Sequence, residues 1–253
     1  MKIALTIAGF DPSGGAGIQA DLKVFQSLGI YGLSVAAAVT AQNTRGVTDI
    51  LPIDTQFIKK QLSVLLSDMR PDSLKTGMLY HEASVAAAAR LIRKHSLENI
   101  VTDPVLTSSS GKKLGSRYLP DAMKKKLFPL CTVITPNIYE ASVLTGLDVR
   151  TNASMERAAV QLKSFGPRCV IITGGHLKGN AMDLVYDGRF HVLKGRKLKG
   201  DYHGTGCVFS AAITALLAQG TPLLEAVRKS KLFMNRVLNK SVRPGSGMKI
   251  LAM

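Results

Sequence analysis

A glycine-rich pentapeptide directly before a long apolar segment is the part of the sequence best suited to chemistry. It reads His203-Gly204-Thr205-Gly206-Cys207 and leads into an apolar run. Where a helix begins in glycines, several backbone N–H groups stay unpaired and the helix dipole adds positive charge, so such a turn can stabilise a phosphoryl group in transfer. Cys207 would lie in the first helical turn, where we expect its thiol pKa to fall below the usual value of about 8.5. The thiolate could then accept the proton of an attacking hydroxyl, although a lone cysteine is ordinarily a small buried apolar residue.

A second glycine-rich segment, residues 9–17, follows the first apolar run of the chain. Residues 15–20 match the GxGxxA pattern of dinucleotide sites, but such sites also need a tight turn and an acidic residue about 20 positions later. Residues 31–48 contain no acid. Gly9 and Gly14 have the glycine spacing of a P-loop, but Gly15 stands where the phosphate-binding lysine should be. The segment therefore favours another kind of ligand-binding loop, the alternative being a flexible turn.

Three oxygen-bearing side chains follow short apolar runs and could ligate Mg²⁺. Asp103 comes after Ile100-Val101-Thr102, whereas Asn137 and Glu140 stand three residues apart after Thr135-Pro136. An i, i+3 pair shares one helix face, and hard oxygen ligands suit magnesium that also binds ATP phosphates. Asn137 and Glu140 could also form a capping pair at a helix start, and the two roles are compatible.

These residues need a scaffold, and the sequence predicts alternating strands and helices. Short runs rich in Val and Ile alternate with longer segments of helical periodicity, as in βαβ units on a mainly parallel sheet. The predicted strands are 2–8, 33–39, 72–76, 99–102, 133–135 and 169–173. The predicted helices are 16–28, 54–67, 83–95, 155–165, 205–219 and 223–239. Residues 46–53 and 182–193 are predicted as extra strands or hairpins, the second turning at Asp187-Gly188.

Length and composition indicate one globular α/β domain over residues 1–253, with 46 % apolar and 20 % charged residues. No apolar run approaches the roughly 20 residues of a membrane helix, and the N-terminal run is too short for a secretory signal. Cys131, Cys169 and Cys207 are too far apart to indicate a disulfide framework or a zinc site. We therefore expect a soluble protein of the cytoplasm.

The net charge of +16 could attract nucleic acid, anionic membranes or phosphorylated small molecules. The basic residues are spread over several segments, tryptophan is absent and aromatic residues make up 6 % of the chain. This distribution favours a generally basic surface over a nucleic-acid stripe with stacking aromatics. We expect a small-molecule substrate and neither a nucleic-acid nor a membrane partner.

Seven motifs, taken together, closely resemble hydroxymethylpyrimidine/phosphomethylpyrimidine kinases, a family of the ribokinase-like superfamily. The order and spacing agree from Met1 to about Asn239. The motifs are Gly9–Asp21, Ala41–Thr44, Lys75–Leu79, Asp103–Val105, Thr135–Asn137 with Glu140, Gly174–Leu177 and His203–Cys207.

The resemblance implies a ribokinase-like α/β fold, in which a central, mostly parallel sheet is flanked by helices on both faces. The active site would lie at the carboxyl ends of the strands. It further implies phosphorylation of 4-amino-5-hydroxymethyl-2-methylpyrimidine by ATP and Mg²⁺, then of its monophosphate, giving the diphosphate used to make thiamin phosphate. The family is often dimeric, so a homodimer is expected.

The resemblance also implies the residues that hold the pyrimidine. Asp21 and Gln42 would hydrogen-bond the ring, and Gly9, Met78 and Val105 would line its pocket. A carboxylate and an amide can match the donors and acceptors of an aminopyrimidine, while thioether and aliphatic groups pack its face. Without the resemblance, Met78 would be interpreted as core packing and Gln42 as a surface amide.

Further roles implied by the resemblance concern catalysis and the nucleotide. Cys207 would be the base, with Gly204, Thr205 and Gly206 supplying N–H groups to the phosphoryl group. Asp103, Glu140 and Asn137 would serve magnesium. The nucleotide residues would be Thr173, Gly175, His176 and Lys231. Residues 106–113 would form a lid over the phosphates.

The chain departs from the family pattern at two of the motifs. Thr173 stands where many members have lysine, and Val208 replaces a common threonine. These changes concern the nucleotide contacts and the efficiency of one of the two phosphorylation steps. Two alternatives stay open: a pyridoxal kinase, whose substrate also carries a ring hydroxymethyl group, and a pyrimidine-binding regulator without catalysis.

Overall fold

A computed structural model describes residues 1–108, 110–174, 181–195 and 200–253 of the chain. The strands are β1 (Ile3–Phe10), β2 (Tyr31–Asn43), β3 (Gly46–Pro52), β4 (Ser73–Thr76), β5 (Ile100–Thr102), β6 (Val133–Ile134), β7 (Cys169–Thr173), β8 (Ala181–Tyr186), β9 (Phe190–Gly195), β10 (Tyr202–His203) and β11 (Lys249–Ile250). The helices are α1 (Gly17–Ser27), α2 (Thr55–Asp68), α3 (Glu82–Lys94), α4 (Leu119–Ala122), α5 (Ile138–Thr145), α6 (Asn152–Ser164), α7 (Thr205–Ala218) and α8 (Leu223–Asn239).

Nine of these strands form one sheet in the order β3-β2-β1-β4-β5-β6-β7-β8-β9. The strands from β2 through β7 in this order run parallel, while β3, β8 and β9 join through antiparallel pairs. The mainly parallel sheet and the two added hairpins confirm the predicted α/β architecture. β10 and β11 form a separate parallel pair.

Helices cover both faces of the sheet because the central strands carry apolar side chains on both sides. In β7, Val170 and Ile172 belong to one buried cluster, whereas Cys169 and Ile171 belong to the other. The first cluster packs against α2, α3, α5 and α6, and the second against α1, α7 and α8. Successive strand residues point to opposite faces, so a continuous apolar run such as β7 is the expected pattern for a strand between two helical layers.

Several predicted boundaries agree with the structure, and others are corrected by it. β7 and α8 begin and end at the predicted residues. β2 is wrong in length, since it has 13 residues instead of the predicted seven and continues through small side chains to pair with β3. α4, β10 and β11 were not predicted, because their two to four residues contain no run of Val and Ile like those that mark β5 and β6.

The parallel strands end at one edge of the sheet, and this edge brings the motifs together. Registers of Ile7 with Thr76, Thr76 with Thr102 and Thr102 with Ile134 place the carboxyl ends of β1, β4, β5 and β6 side by side. The segments that follow these strands carry most of the candidate residues. Ligands of open α/β sheets bind at this edge. Within the described residues, no helix is long and apolar enough to cross a bilayer.

Candidate active site

The turn before α7 is held by backbone packing against the first glycine-rich loop. Gly204 is the N-cap of α7 and has φ 79°, a left-handed conformation that favours glycine. A Cβ atom at Gly204 would lie 1.9 Å from the carbonyl oxygen of Gly15. The helix starts with Val208 N donating to Gly204 O at 2.9 Å. Because glycine offers no capping side chain, the N–H groups of the first turn are left for an anion.

The loop of residues 9–17 folds around the carboxylate of Asp11. Its Oδ1 accepts hydrogen bonds from the backbone and hydroxyl of Ser13, and its Oδ2 accepts one from Ala16 N at 2.8 Å. Gly17 has φ 58°, and a Cβ atom there would lie 2.2 Å from Gly9 O. The path of the loop is therefore held by the Asp11 carboxylate and by the close packing of Gly17 on Gly9.

Part of the predicted pyrimidine pocket is assembled beside this loop. A Cβ atom at Gly9 would lie 2.5 Å from Met78 Cε, so the backbone of Gly9 and the thioether of Met78 are in contact. Val105 packs against the small buried cluster that contains Met78. The amide of Gln42 is half-buried and lies 2.8 Å from His203 Nε2. Four of the five predicted pyrimidine residues thus lie in or beside this region, and their contact with a pyrimidine stays a prediction.

Asp21, the remaining pyrimidine candidate, lies in a buried ion pair. Its side chain is fully buried, accepting hydrogen bonds from Lys75 Nζ at 2.7 Å and from Thr6 Oγ1 at 2.6 Å. The carboxylate has no exposed surface in the ligand-free protein, and its direct hydrogen bond to the pyrimidine stays a prediction. Asp21 is the counter-ion of Lys75, whose side chain is also fully buried.

Lys75 is the functional candidate that the sequence reasoning missed. Burial alone would lower its pKa, but Asp21, Cys207 and Asp103 together raise it well above the usual value. Lys75 is therefore a permanent buried cation beneath the turn that precedes α7. A signal was present in the sequence: this lysine stands inside β4, a four-residue strand that is buried throughout. A buried lysine needs a charged partner, which marks the position as unusual.

Cys207 lies in the first turn of α7 as predicted, but the predicted pKa shift is wrong. Burial, together with Asp103 and Asp21, raises the pKa of the thiol to about 12, while Lys75 and a hydrogen bond from the Gly17 backbone limit this rise. The helix start is therefore outweighed by desolvation and two carboxylates. In the ligand-free protein Cys207 is a thiol at neutral pH.

Asp103 and Glu140 form a pair of buried carboxyl groups next to the turn. Ser210 donates to Asp103 Oδ2 at 3.2 Å, and a Cβ atom at Gly206 would lie 3.6 Å from the same oxygen. Burial raises the pKa of Asp103 to about 6, with Lys75 opposing the rise and Asp21 adding to it. Burial and the neighbouring Asp103 raise the pKa of Glu140 to about 8. A nearby cation would relieve both effects.

Asn137 and Glu140 form the capping box that was considered alongside a metal role. Asn137 Oδ1 accepts from Glu140 N at 2.9 Å, and Glu140 Oε2 accepts from Asn137 N at 2.9 Å. Glu140 Oε1 also accepts from Leu106 N at 3.3 Å. The capping box holds the Glu140 carboxylate beside the backbone N–H of Leu106. Asn137 therefore positions Glu140.

The described residues contain no cluster of three or more His, Cys, Asp or Glu side chains that could hold a metal by themselves. Magnesium that arrives with a nucleotide needs only one or two protein carboxylates, since phosphate oxygens and water complete its shell. The buried pair Asp103 and Glu140, with hard oxygen atoms and raised pKa values, fits such an ion.

The predicted nucleotide residues are only partly described. Gly175 and His176 lie outside the described residues. Thr173 ends β7 and bridges to Asn137 on the neighbouring segment. Lys231 donates to Asp183 Oδ2 at 2.5 Å, and Asp183 Oδ1 accepts from Gly174 N at 3.2 Å. Lys231 is thus tied to the turn after β7 through Asp183.

Two other predictions are refined by the structure. Val208 is fully buried in the cluster with α1 and α8, so the departure at this position changes packing beneath the turn. The predicted lid of residues 106–113 forms a hairpin-like turn in which Thr107 bridges to Lys113 and Gly111 N donates to Ser108 O at 2.9 Å. Ser109 lies outside the described residues.

Comparison with known proteins gives the same family that the seven sequence motifs resemble. The family model described as phosphomethylpyrimidine kinase matches residues 11–252. The Haemophilus influenzae hydroxymethylpyrimidine/phosphomethylpyrimidine kinase is 41 % identical over 98 % of this chain and 94 % of its own length. The Geobacter sulfurreducens thiamine biosynthesis bifunctional protein ThiED is 42 % identical over 96 % of this chain, which spans only half of that longer protein.

Solved structures agree with the fold. The Bacillus subtilis pyridoxal kinase, determined as an ADP complex, superposes with a TM-score of 0.92 at 37 % identity, covering 99 % of this chain and 97 % of that one. The Clostridium difficile phosphomethylpyrimidine kinase has a TM-score of 0.83 at 38 % identity, covering 94 % of this chain and all of that one. The similarity therefore spans two vitamin-kinase activities.

Proposed function

This chain belongs to the phosphomethylpyrimidine kinase family, and we propose that it phosphorylates 4-amino-5-hydroxymethyl-2-methylpyrimidine with ATP and then phosphorylates the monophosphate. The observation that carries the proposal is the contact between the backbones of the two glycine-rich segments, which lie over the buried charged groups Lys75, Asp21 and Asp103. Gly15 and Gly17 of the first loop contact the turn that holds Gly204 and Cys207, and Lys75 lies beneath. A ring hydroxyl and a phosphoryl group can meet at this point.

In the first step, the hydroxyl oxygen of the pyrimidine forms a bond to the γ-phosphorus as the bond from that phosphorus to the ADP oxygen breaks. The hydroxyl proton passes to the sulfur of Cys207 in its thiolate form. The N–H groups from Thr205 to Cys207 donate to the phosphoryl oxygens, where negative charge is highest. In the second step the acceptor is an already ionised phosphate, so no base is required.

Asp103 and Glu140 would hold the magnesium ion that accompanies ATP. When bound, such an ion neutralises charge on the phosphate oxygens and orients them. The protein contributes two carboxylates that are already positioned by Ser210 and by the capping box of Asn137. Lys75 balances the charge of Asp21 and part of the charge of Asp103 from below.

The nucleotide would lie over the turn after β7. Gly174 N is oriented by Asp183, and Lys231 neutralises that carboxylate from α8. Thr173, Gly175 and His176 complete this proposed nucleotide region. The lid of residues 106–113 starts beside Glu140 and lies close to the expected position of the phosphates.

The proposal includes a homodimer in the cytoplasm. Val39 and Leu51 lie directly opposite each other on β2 and β3 and are 37 % and 67 % exposed, and Phe57 is 56 % exposed. The exposed apolar pair on this edge hairpin, with a further exposed aromatic side chain at Phe57 on α2, suits burial against a second subunit. All three cysteines are free, as is usual in a reducing compartment.

A pyridoxal kinase is the second candidate, and the TM-score of 0.92 to the Bacillus subtilis pyridoxal kinase favours it. Pyridoxal also presents a hydroxymethyl group on a nitrogen heterocycle. The same turn and carboxylates could serve either ring, so the ring contacts decide between the two substrates. A regulator that binds pyrimidine without consuming ATP is the third possibility.

The decisive experiment supplies hydroxymethylpyrimidine, its monophosphate and pyridoxal separately with Mg²⁺ and ATP, and identifies products by mass. Formation of the pyrimidine diphosphate from hydroxymethylpyrimidine supports both steps. Turnover of the monophosphate alone limits the enzyme to the second step. Turnover of pyridoxal alone replaces the proposal with the second candidate, and binding of the pyrimidine without turnover favours the regulator.

A further inference from the structure

A buried histidine joins the two glycine-rich segments to the amide expected to contact the substrate. His203 directly precedes the turn at Gly204 and is 5 % exposed. Its Nε2 atom lies 2.8 Å from Asp11 Oδ2 and 2.8 Å from the side-chain amide of Gln42. The other end of that amide lies 3.1 Å from Thr40 Oγ1. The four side chains form one chain of hydrogen bonds.

The acceptor end of this chain is Asp11. Its two oxygens accept hydrogen bonds from the backbone N–H and the hydroxyl of Ser13, from the backbone N–H of Ala16 and from His203 Nε2. Burial would raise the pKa of Asp11, but hydrogen bonds from His203 and Ser13 hold it below its usual value. Asp11 is therefore ionised at neutral pH and can only accept hydrogen bonds. It follows that His203 Nε2 carries a hydrogen.

An N–H group at His203 Nε2 determines which end of the Gln42 amide faces it. The amide nitrogen can only donate, so the carbonyl oxygen must point at His203. The amide nitrogen then points at Thr40 Oγ1, which can accept because its own hydrogen is donated to Phe10 O at 3.0 Å. The single hydrogen on Nε2 is then shared between Asp11 Oδ2 and the Gln42 oxygen, and every other contact in the chain joins one donor to one acceptor. With the opposite amide orientation, two donors would face each other at 2.8 Å.

We propose that His203 is a positioning residue that fixes the Gln42 amide with its oxygen inward and one N–H free to donate to the substrate ring. The proposal rests on the proposed function, because Gln42 is the amide expected to contact the pyrimidine. An amide held in this way favours a ligand that presents a ring nitrogen or another hydrogen-bond acceptor in the plane of its heterocycle. Among the described residues, His203 Nδ1 is buried without a hydrogen-bond partner, so the histidine acts through Nε2.

The test compares two substitutions of His203 that distinguish the effect of its N–H donor from the effect of its aromatic ring. His203→Gln keeps an N–H group close to the Nε2 position, whereas His203→Phe keeps a ring and loses the donor. Isothermal titration measures binding of hydroxymethylpyrimidine and, separately, of a magnesium complex of a non-hydrolysable ATP analogue. We expect His203→Phe to weaken pyrimidine binding about tenfold or more, because the Asp11 carboxylate loses a hydrogen-bond donor and the Gln42 amide is no longer held in one orientation. His203→Gln should stay within about threefold of the unsubstituted protein.

A matched control is offered by a second histidine–aspartate pair within the described residues. His191 Nε2 lies 3.3 Å from Asp187 Oδ1 on the β8–β9 hairpin. His191→Phe makes the same chemical change outside the proposed chain and should leave both affinities unchanged. Unaltered pyrimidine binding in His203→Phe would overturn the proposal. An equal loss of pyrimidine and nucleotide binding would do the same, as would failure of His203→Gln to restore pyrimidine binding.

A second measurement is independent of the substrate. Long-range ¹H–¹⁵N spectra report which nitrogen of His203 carries hydrogen, and the side-chain amide resonances of Gln42 report its surroundings. Hydrogen on Nε2 and a shift of the Gln42 amide signals in His203→Phe are expected. Hydrogen on Nδ1 alone would contradict the inferred orientation. If the unsubstituted protein does not bind hydroxymethylpyrimidine, the proposed function fails, while the spectra still test the orientation.

Discussion

Cys207 is surrounded by charges that act on its thiol in opposite directions. Lys75 lowers the thiol pKa, whereas burial, Asp103 and Asp21 raise it, so the group ionises near pH 12 in the ligand-free protein. The thiolate is then a small fraction at neutral pH, and this fraction grows about tenfold per pH unit below the pKa. A reaction that uses this base must become faster as the pH rises.

We therefore expect kcat/KM for the first phosphorylation to rise at least about tenfold per unit between about pH 7 and 9, until another step limits the rate. Cys207→Ala should lower it about 10²- to 10⁴-fold and leave only the smaller rise, levelling off above about pH 8, that ionisation of Glu140 gives. Phosphorylation of the monophosphate should keep its rate in this variant, because that acceptor is already ionised. Steady-state kinetics on both substrates measure these effects.

Cys169→Ala is the matched control, since Cys169 is a fully buried thiol at the first residue of β7. It should retain both the rate and the pH slope of the unsubstituted protein. A Cys207→Ala enzyme that keeps the first-step rate, or a flat profile in the unsubstituted enzyme, would remove Cys207 from the role of base.

The residue types predicted which groups form this site, but they did not predict the protonation states of those groups. The motifs at Asp103, Glu140 and Gly204 identified groups that the structure brings to one edge. Two contributions were unreadable from spacing. One is the burial of Asp21 against Lys75, which depends on the packing of α1 against the paired strands β1 and β4. The other is the pair of carboxylates that raise the Cys207 pKa. Both arise from neighbours distant in sequence, whereas the expected lowering of the pKa considered only the local helix start.

At the scale of elements, the C-terminal segment holds two parts of the site together. β11 pairs with β10, which carries His203, and Met248 N donates to Thr44 O at 2.8 Å. Thr44 lies in the turn between β2 and β3, just after Gln42. A Cβ atom at Gly247 would lie 2.1 Å from Thr44 O, so the tail backbone lies directly on this turn.

A methyl group at position 247 should therefore separate the tail from the β2–β3 turn. We expect Gly247→Ala to raise KM for hydroxymethylpyrimidine about tenfold, equivalent to about 1.4 kcal/mol, with a smaller effect on KM for ATP. Ser246→Ala is the control, because Ser246 is an exposed neighbour in the same segment. Equal KM values in the two variants would show that contact between tail and turn does not support the pyrimidine side.

Elements with a long helical pattern or a clear apolar run were readable from sequence, and short elements without either were not. α8 and β7 match their predicted bounds because 17 and five residues of consistent pattern define them. β10 and β11 have two residues each and exist because they pair with each other across the chain. The sequence therefore predicted the layers of the fold but missed the tail contact that supports His203.

At the scale of the whole molecule, one sheet connects the two proposed ligand regions. The pyrimidine side is built on β1, β2 and β4, and the nucleotide side on β7 and β8, with β5 and β6 between them in the same sheet. The two buried clusters each draw on both ends of the sheet. Such continuity predicts that the chain unfolds as one cooperative unit.

Calorimetric unfolding should accordingly show a single transition that either ligand shifts as a whole. A magnesium complex of a non-hydrolysable ATP analogue at 100 times its dissociation constant should add about 2.7 kcal/mol to the free energy of unfolding. Hydroxymethylpyrimidine at the same relative concentration should add a similar amount to the same transition. Magnesium chloride alone is the control and should shift it less. Two transitions, of which each ligand moves only one, would show that the pyrimidine and nucleotide sides unfold as separate units.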